Sequence, residues 1–270
     1  MTGPETTAST TGPLVVADRF NGPTSSGNGG YTAGLLAERA VTHPARPADC
    51  PVVEVTLRKP PPLATPMEVV HADEPELRTR LLLGGEVVAE ARCSDEELPT
   101  VDEVSSEVAA RAAEQYAGHR RHPFPRCFAC GPAREDGDGL RIFPGPVVDA
   151  PQPDAARPRV AAPWVPHETL AVASDLLDGV QRIGVAATWA ALDCVGGWSS
   201  DLEGRPMVLG RMAARIDALP VVGEPHVVVG AELGGEGRKV FTASTLYDSD
   251  GRVVARARHT WIAIDPAAFS

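Results

Sequence analysis

The sequence contains no apolar run of the roughly 18 residues that a membrane-spanning helix requires. Its N-terminus also lacks the features of a secretory leader, because residues 1–13 are rich in Thr, Ser, Gly and Pro and contain neither a basic nor an apolar segment. We therefore expect a cytoplasmic protein that makes no membrane contact, with residues 1–13 as a disordered tail.

Positive charge is also scarce. The 270 residues carry 25 Lys and Arg against 36 Asp and Glu, a formal net charge of −11. Binding to nucleic acid depends on a basic surface that neutralises phosphates, so this balance excludes a general nucleic-acid-binding protein. It leaves room for a small anionic ligand held by a few local cations.

Cysteine is sparse, odd in number and scattered: the five residues predict free thiols in a reducing compartment. Cys127 and Cys130 form a C-x-x-C with His119 and His122 upstream, and these residue types bind zinc. The irregular His spacing instead favours a structural turn with buried thiols. We predict no metal and no cofactor, and we interpret Cys194 as a small buried residue.

The sequence is organised around residues 184–198, G-V-A-A-T-W-A-A-L-D-C-V-G-G-W. Its alanines favour a helix, predicted at residues 181–194, and its Gly-Gly pair favours the end of that helix. Asp193 follows the apolar run, and because a buried carboxylate is costly it should lie at the surface or in a functional site. A related segment, residues 29–40, places Glu38 in line with Asp193 when the two are aligned without gaps.

The similarity extends beyond the two helices. After each of them, apolar and polar residues alternate in segments separated by Gly and Pro, which predicts antiparallel strands. The closing hairpins agree best, with G-G-E-V-V-A-E-A-R-C at 84–93 and D-G-R-V-V-A-R-A-R-H at 250–259. Strands are predicted at residues 14–20, 52–57, 67–72, 77–83, 86–93, 159–164, 207–216, 226–233, 240–247 and 252–264.

These repeats predict an α+β fold of two tandem copies, each with a central helix wrapped by an antiparallel sheet. The first copy spans residues 14–93, a linker helix and loop span 94–122, and the second copy spans 123–270. The central helices should run antiparallel, and the linker should stay outside the core. A sheet must bury the apolar stripe of the helix it wraps, so we expect five side chains to be buried: Leu35, Leu36, Ile183, Trp189 and Leu192.

Three segments carry a family resemblance. The loop and helix F-N-G-P-T-S-S-G-N-G-G-Y-T-A-G-L-L-A at 20–37 resemble the first half of the double hotdog acyl-CoA thioesterases. C-F-A-C-G-P at 127–132 with G-D-G-L-R-I-F at 137–143, followed by W-A-A-L-D-C at 189–194, resembles bacterial hotdog proteins of the thioesterase superfamily. The resemblance implies a double hotdog fold and an acyl-CoA hydrolase.

The resemblance also implies site residues. In the double hotdog thioesterases an Asp on the second helix acts with a Gln in the last strand, and by position these match Asp193 and His259. The His departs from the family and could titrate near neutral pH. The family's Ser or Thr should lie within residues 208–212, where this sequence has no hydroxyl.

Two interpretations stay open both for Asp193 and for the start of the first helix. Asp193 can orient and deprotonate a water that attacks a thioester, or it is a solvated residue at a helix end. The backbone N–H groups of Gly29, Gly30 and Tyr31, with the Asn28 amide, can polarise the thioester oxygen, or the loop needs glycine only for its turns.

Two functions therefore compete: an acyl-thioester hydrolase, and a non-catalytic hotdog protein that binds an acyl or hydrophobic ligand or serves as an interaction scaffold. No D-x-N-P-x-H motif supports a hydratase. A tunnel that ends at Asp193 between both helices would favour the hydrolase. Its partner would be acyl-CoA or another acyl thioester, with Arg58 and Lys59 as candidates for the coenzyme A phosphates, and a homo-oligomer is compatible with this fold.

Overall fold

The computed structural model of the protein describes residues 9–42, 50–72, 77–148, 158–172 and 179–265. Among these residues no helix is long and apolar enough to cross a membrane. The elements are β1 Ser9–Leu14, α1 Gly29–Val41, β2 Val52–Leu57, β3 Met67–Ala72, β4 Arg78–Leu83, β5 Glu86–Ser94, α2 Ser106–Glu114, β6 Gly145–Pro146, β7 Arg159–Trp164, α3 Val185–Trp198, β8 Met207–Ile216, β9 His226–Glu236, β10 Lys239–Tyr247 and β11 Val253–Ala263.

The strands form one antiparallel sheet in the order β1-β3-β4-β5-β2-β8-β11-β10-β9-β7-β6. Its two halves meet where β2 pairs with β8, for example Val55 opposite Met212. Outward from this junction the order is 2-5-4-3-1 on one side and 8-11-10-9-7 on the other. Since α1 precedes β2 and α3 precedes β8, the strand order around the first helix recurs around the second.

The two long helices pack against each other and against the strands of their own halves. They run antiparallel, because Gly30 of α1 lies against Asp193 while Gly34, one turn later, lies against Ala186. A Cβ atom at Gly34 would lie 2.6 Å from the Cα of Ala186, so only glycine permits this close approach. Every residue of α3 except Val185 is buried.

Helix α3, the second of the two central helices, differs from its prediction at both ends. It begins at Val185, later than expected, and continues through Gly196 and Gly197 to Trp198. These glycines do not end the helix because they make room for the sheet. A Cβ at Gly196 would lie 2.6 Å from His259 Nδ1, and one at Gly197 would lie 2.9 Å from the Trp261 ring.

The other predictions around the helices hold in part. Of the five apolar side chains expected in the core, Leu36, Ile183, Trp189 and Leu192 are buried, but Leu35 is only half-buried. The first strand is Ser9–Leu14 and pairs with β3, so the strand predicted at residues 14–20 is wrong. Residues 9–13, expected in the tail, therefore belong to the sheet, and residues 1–8 lie outside the described residues.

The linker segment is packed, contrary to our expectation for residues 94–122. Its helix is capped by Ser105, whose Oγ accepts the Val108 N–H at 3.3 Å. Ala109 and Ala112 pack with Val227 and Val229 of β9. The intervening Val228 belongs to the central core, so α2 covers the opposite face of the second half-sheet.

Two cysteines form a disulfide that was not predicted. Cys50, just before β2, and Cys93 in β5 are joined by a disulfide, with their Cα atoms 5.5 Å apart. The pairing of β2 with β5, which sets Val53 opposite Cys93, brings the two thiols together. The prediction of five free thiols is therefore wrong; Cys127, Cys130 and Cys194 are free and buried.

Candidate active site

The site is built where the glycine-rich loop enters α1. Asn28 is the N-cap residue, and its Oδ1 accepts the Tyr31 N–H at 2.8 Å, which fixes the first turn. The same side chain donates from Nδ2 to Asp193 Oδ2 at 3.2 Å. The Gly30 N–H donates to that oxygen at 2.8 Å. The start of α1 thus holds the Asp193 carboxylate, as the positive end of a helix favours.

Asp193 is buried, with 2% of its surface exposed. A Cβ atom at Gly30 would lie 2.4 Å from the Asp193 Cβ, so glycine is required for this contact. Asp193 Oδ1 is buried and has no hydrogen-bond partner among the described residues. Burial raises the pKa of this carboxyl to about 7, although the Gly30 N–H opposes the shift. An unpaired buried oxygen is costly, so Oδ1 is the atom left for a water or ligand.

A cavity of about 270 Å³ opens beside Asp193. Gly29 contributes to it from α1, and Asp193 and Cys194 contribute from α3, so both helices line it. Much of the remaining wall is apolar, a lining suited to an acyl chain. The apolar side chains of the wall include Leu57, Phe124, Leu202, Met207, Val208, Leu209, Trp261 and Ile262.

The predicted N–H donors of the first turn differ in their availability. Those of Gly30 and Tyr31 are engaged by Asp193 and Asn28, respectively. The Gly29 N–H has no acceptor within the described ranges, and Gly29 lines the cavity. The Tyr31 ring stacks on Phe20 with centroids 3.9 Å apart and does not line the cavity. Of the three predicted N–H donors, that of Gly29 is therefore the one that the described residues leave for a ligand oxygen.

His259 lies apart from Asp193. Its Nδ1 is 3.1 Å from Thr242 Oγ1, and the ring packs against Gly196. No hydrogen bond within the described part of the chain joins His259 to Asp193, and the residue does not line the cavity. Burial lowers the pKa of His259 to about 3, so the expected titration near neutral pH does not occur. Trp261 and Ile262 are the β11 residues that reach the cavity wall.

The two candidate phosphate-binding residues lie at the rim. Arg58 and Lys59 both line the cavity and are about half exposed. Arg58 forms an ion pair with Glu90, and Lys59 forms one with Glu86. A ligand phosphate would therefore compete with a carboxylate at each cation.

Three buried thiols form a further part of the site that sequence reasoning missed. The sulfur atoms of Cys127, Cys130 and Cys194 lie within 4.8 Å of one another, and those of Cys127 and Cys194 are 3.7 Å apart. The pKa of Cys127 is lowered well below that of an ordinary thiol because Cys130 and Cys194 hydrogen-bond to its sulfur. Cys194 is 67 residues from Cys127, and no sequence pattern links the two.

No protein-family model and no curated protein matches this sequence. Solved structures do match. A hot dog fold protein of unknown function from Alicyclobacillus acidocaldarius is 12% identical, covers 96% of this chain and 93% of its own, and has a TM-score of 0.58. The tesB protein of Mycobacterium avium subs paratuberculosis is 13% identical over 90% of this chain and 89% of its own, with a TM-score of 0.56.

An acyl-CoA thioesterase II from Mycobacterium marinum is also similar. It is 12% identical, covers 91% of this chain and 92% of its own, and has a TM-score of 0.55. At this level of identity the shared feature is the fold. The hotdog fold expected from the sequence is therefore confirmed over nearly the whole chain.

Proposed function

We propose that this protein is a double hotdog hydrolase of acyl thioesters, with acyl-CoA as its substrate class. The observation that carries the proposal is the unpaired, buried Oδ1 of Asp193 beside a mostly apolar cavity that both long helices line. A filled core at this position would have favoured a scaffold. The similar structures from the two Mycobacterium species, a tesB protein and an acyl-CoA thioesterase II, are consistent with this substrate class.

The two tandem copies are part of the proposal. The strand order around α1 repeats around α3, and the hairpins at 84–93 and 250–259, whose sequences agree, close equivalent positions in the two halves. In such an arrangement one catalytic site needs both copies. The first copy supplies the helix start at Gly29 and Gly30, and the second supplies the carboxylate.

The geometry supports a one-step activation of water. The acyl chain would lie along the apolar wall, with its thioester oxygen on the Gly29 N–H and a water on Asp193 Oδ1. The water attacks the carbonyl carbon while its proton passes to Asp193. The oxyanion that forms is stabilised by the N–H at the start of α1. When the intermediate collapses, the thiolate leaves and takes the proton from Asp193.

The neighbours of Asp193 have positioning roles in this proposal. The Gly30 N–H and the Asn28 amide both hold Oδ2, which leaves Oδ1 for the water. Arg58 and Lys59 would exchange their glutamate partners for coenzyme A phosphates. His259 takes no part in proton transfer and instead packs beneath α3, where Thr242 Oγ1 also accepts from Trp261 Nε1 at 3.1 Å.

A thiol-release assay over acyl-CoA substrates of increasing chain length tests the function. Wild-type protein should hydrolyse at least one of them, and Asp193→Asn, which preserves the shape of the side chain, should lower turnover about a hundredfold or more. Turnover that survives this substitution would exclude the mechanism. If no acyl-CoA is hydrolysed but one binds, the non-catalytic acyl-binding protein becomes the better account.

A further inference from the structure

We propose that Cys127, Cys130 and Cys194 form a binding site for one zinc ion beside the cavity, with three sulfur ligands. The absence of a metal was predicted because the C-x-x-C offers two sulfurs and the upstream His119 and His122 are irregularly spaced. The structure supplies a third from α3, so the thiols now match the ligand type and number of a zinc site with one open position.

The distances between the sulfurs fit such an ion. Tetrahedral zinc with Zn–S bonds of about 2.3 Å separates two ligand sulfurs by about 3.8 Å. Cys127 Sγ and Cys194 Sγ are 3.7 Å apart, and all three sulfurs lie within 4.8 Å of one another. Small side-chain rotations would therefore bring Cys130 to the same spacing.

The loop that contains Cys127 and Cys130 is folded so that their sulfur atoms lie close to Cys194 of α3. In the C-F-A-C-G turn, the Gly131 N–H donates to the Cys127 carbonyl at 2.9 Å. A Cβ atom at Gly131 would lie 2.5 Å from the Cys127 nitrogen, so this tight turn requires glycine. The turn places Cys127 and Cys130 together against Cys194, in a position fixed before any ion binds.

N–H donors surround the sulfurs and would stabilise thiolates. Trp198 Nε1 donates to Cys130 Sγ at 3.4 Å, and Asn28 Nδ2 lies 3.7 Å from Cys127 Sγ and 3.9 Å from Cys194 Sγ. Such contacts around the ligands of a metal hold them in place and favour their charged form.

His122 is a further donor and not a fourth ligand. Its Nδ1 accepts the Phe124 N–H at 2.8 Å, so in a neutral ring Nε2 carries the hydrogen. That nitrogen lies 3.3 Å from Cys130 Sγ and donates to it. The three cysteines also line the cavity, so the fourth position of a tetrahedral ion opens toward it and would take water or a thiolate.

Titration with Co²⁺ of metal-free protein, with its Cys50–Cys93 disulfide intact and its other three cysteines as thiols, tests the site, because cobalt thiolates give a sulfur-to-metal charge-transfer absorption. We expect one Co²⁺ per chain, displaced by one Zn²⁺. The disulfide removes Cys50 and Cys93 from consideration, so the signal reports on the three-thiol cluster. Cys194→Ser should abolish it as completely as Cys127→Ser. No absorption in the wild type, or binding that survives Cys194→Ser, would overturn the proposal.

Variants of Trp198 and His122 distinguish the proposed zinc ligands from the residues that only donate hydrogen bonds to them. Trp198→Phe and His122→Ala should keep one ion per chain and bind it about 10–100-fold more weakly, as expected for groups that contact metal ligands. Complete loss in His122→Ala would refute the three-sulfur assignment.

Alkylation of the wild-type protein tests the site without any substitution, so its result does not depend on whether the variants fold. Zinc should protect all three thiols, as mapped by mass spectrometry, and Cys194 modified equally fast with and without zinc would count against the site. None of these measurements uses thioester turnover, so zinc binding and hydrolysis can fail independently.

Discussion

Each end of the helix pair brings a carboxylate close to a helix start, but the surroundings differ. At one end Asp193 of α3 accepts the Gly30 N–H at the start of α1. At the other end Glu38 of α1 lies near the start of α3, where the backbone N–H of Val185 opposes the rise in the pKa of Glu38. This arrangement follows from two antiparallel helices whose carboxylates occupy the same position when residues 29–38 and 184–193 are aligned without gaps. The crossing alone therefore sets one carboxylate at each helix start.

The loops around the crossing make the two ends different. Asn28 caps α1 with its side chain, whereas Gly184 gives α3 no side-chain cap. Asp193 is buried beside the cavity, but Glu38 is only half-buried, and Arg39 next to it opposes the rise in its pKa that burial causes. The fold thus supplies two similar carboxylate positions, and the loop at residues 21–29 converts one of them into a candidate site.

Neutralising each carboxylate should give the largest contrast. Asp193→Asn should lower thioester turnover about a hundredfold or more, because it removes the base. Glu38→Gln should leave turnover within about twofold, since the group is not at the cavity that Asp193 lines. Both are measured by thiol release from the best acyl-CoA substrate. A large loss in Glu38→Gln with wild-type stability would show that both ends are active.

The closing strands differ at equivalent positions, where β5 has Cys93 and β11 has His259. An unfolded chain protonates this histidine near its ordinary pKa of 6.5, whereas burial lowers the pKa in the folded protein to about 3. Between about pH 6.5 and pH 3 the unfolded state therefore binds more protons than the folded state. The free energy of unfolding consequently falls as the pH is lowered through this range. Each unit of pKa difference corresponds to about 1.4 kcal/mol.

His259→Gln should remove part of this acid loss. We expect the variant's free energy of unfolding, from urea titrations at several pH values, to fall less steeply below about pH 6.5 than that of the wild type. His119→Gln is the control, because His119 is exposed. Identical slopes in His259→Gln and wild type would show that His259 is protonated in the folded protein.

The sequence predicted what depends on local pattern. Strands Met67–Ala72 and Met207–Ile216 were predicted with the bounds that they have, because alternation and flanking Gly or Pro define them. Sequence-based prediction failed where contacts between residues far apart in the chain determine the structure. Gly196 and Gly197 continue a helix since the sheet packs on them, and Cys194 joins thiols whose proximity no spacing encodes.

The candidate site was likewise predictable only in part. Asp193 and the Asn28–Gly30 helix start were identified from composition and resemblance, and their contact follows from the antiparallel helices. The separation of His259 from Asp193 was not predictable, because it depends on which side of α3 the last strand passes.

Adding one methyl group at each helix start should affect stability unequally. In Gly30→Ala the new Cβ would lie 2.4 Å from the Asp193 Cβ and 2.9 Å from the Trp189 carbonyl oxygen, so the helices must separate. We expect a loss of about 1–3 kcal/mol in the free energy of unfolding. In Gly184→Ala the nearest atom, at 2.9 Å, is a methyl of the partly exposed Val172, which can move. Equal losses in urea unfolding would contradict the asymmetry.

The smallest effect concerns the cap that only one helix start has. Asn28 has two roles, because Oδ1 accepts the Tyr31 N–H while Nδ2 donates to Asp193. Asn28→Ala should lose about 1 kcal/mol of stability, the usual value of an N-cap. Asn28→Ser retains a capping oxygen but is too short to reach Asp193, so its stability should stay within about 0.5 kcal/mol of the wild type.

Activity should separate the two roles of Asn28. If Nδ2 positions the carboxylate, turnover should fall several-fold in Asn28→Ser as well as in Asn28→Ala, although only the latter is destabilised. The paired measurement is thiol release beside urea unfolding on the same preparations. Full activity in Asn28→Ser would mean that the Gly30 N–H alone holds Asp193, and the asymmetry between the two helix ends would then lie in the backbone and not in the cap.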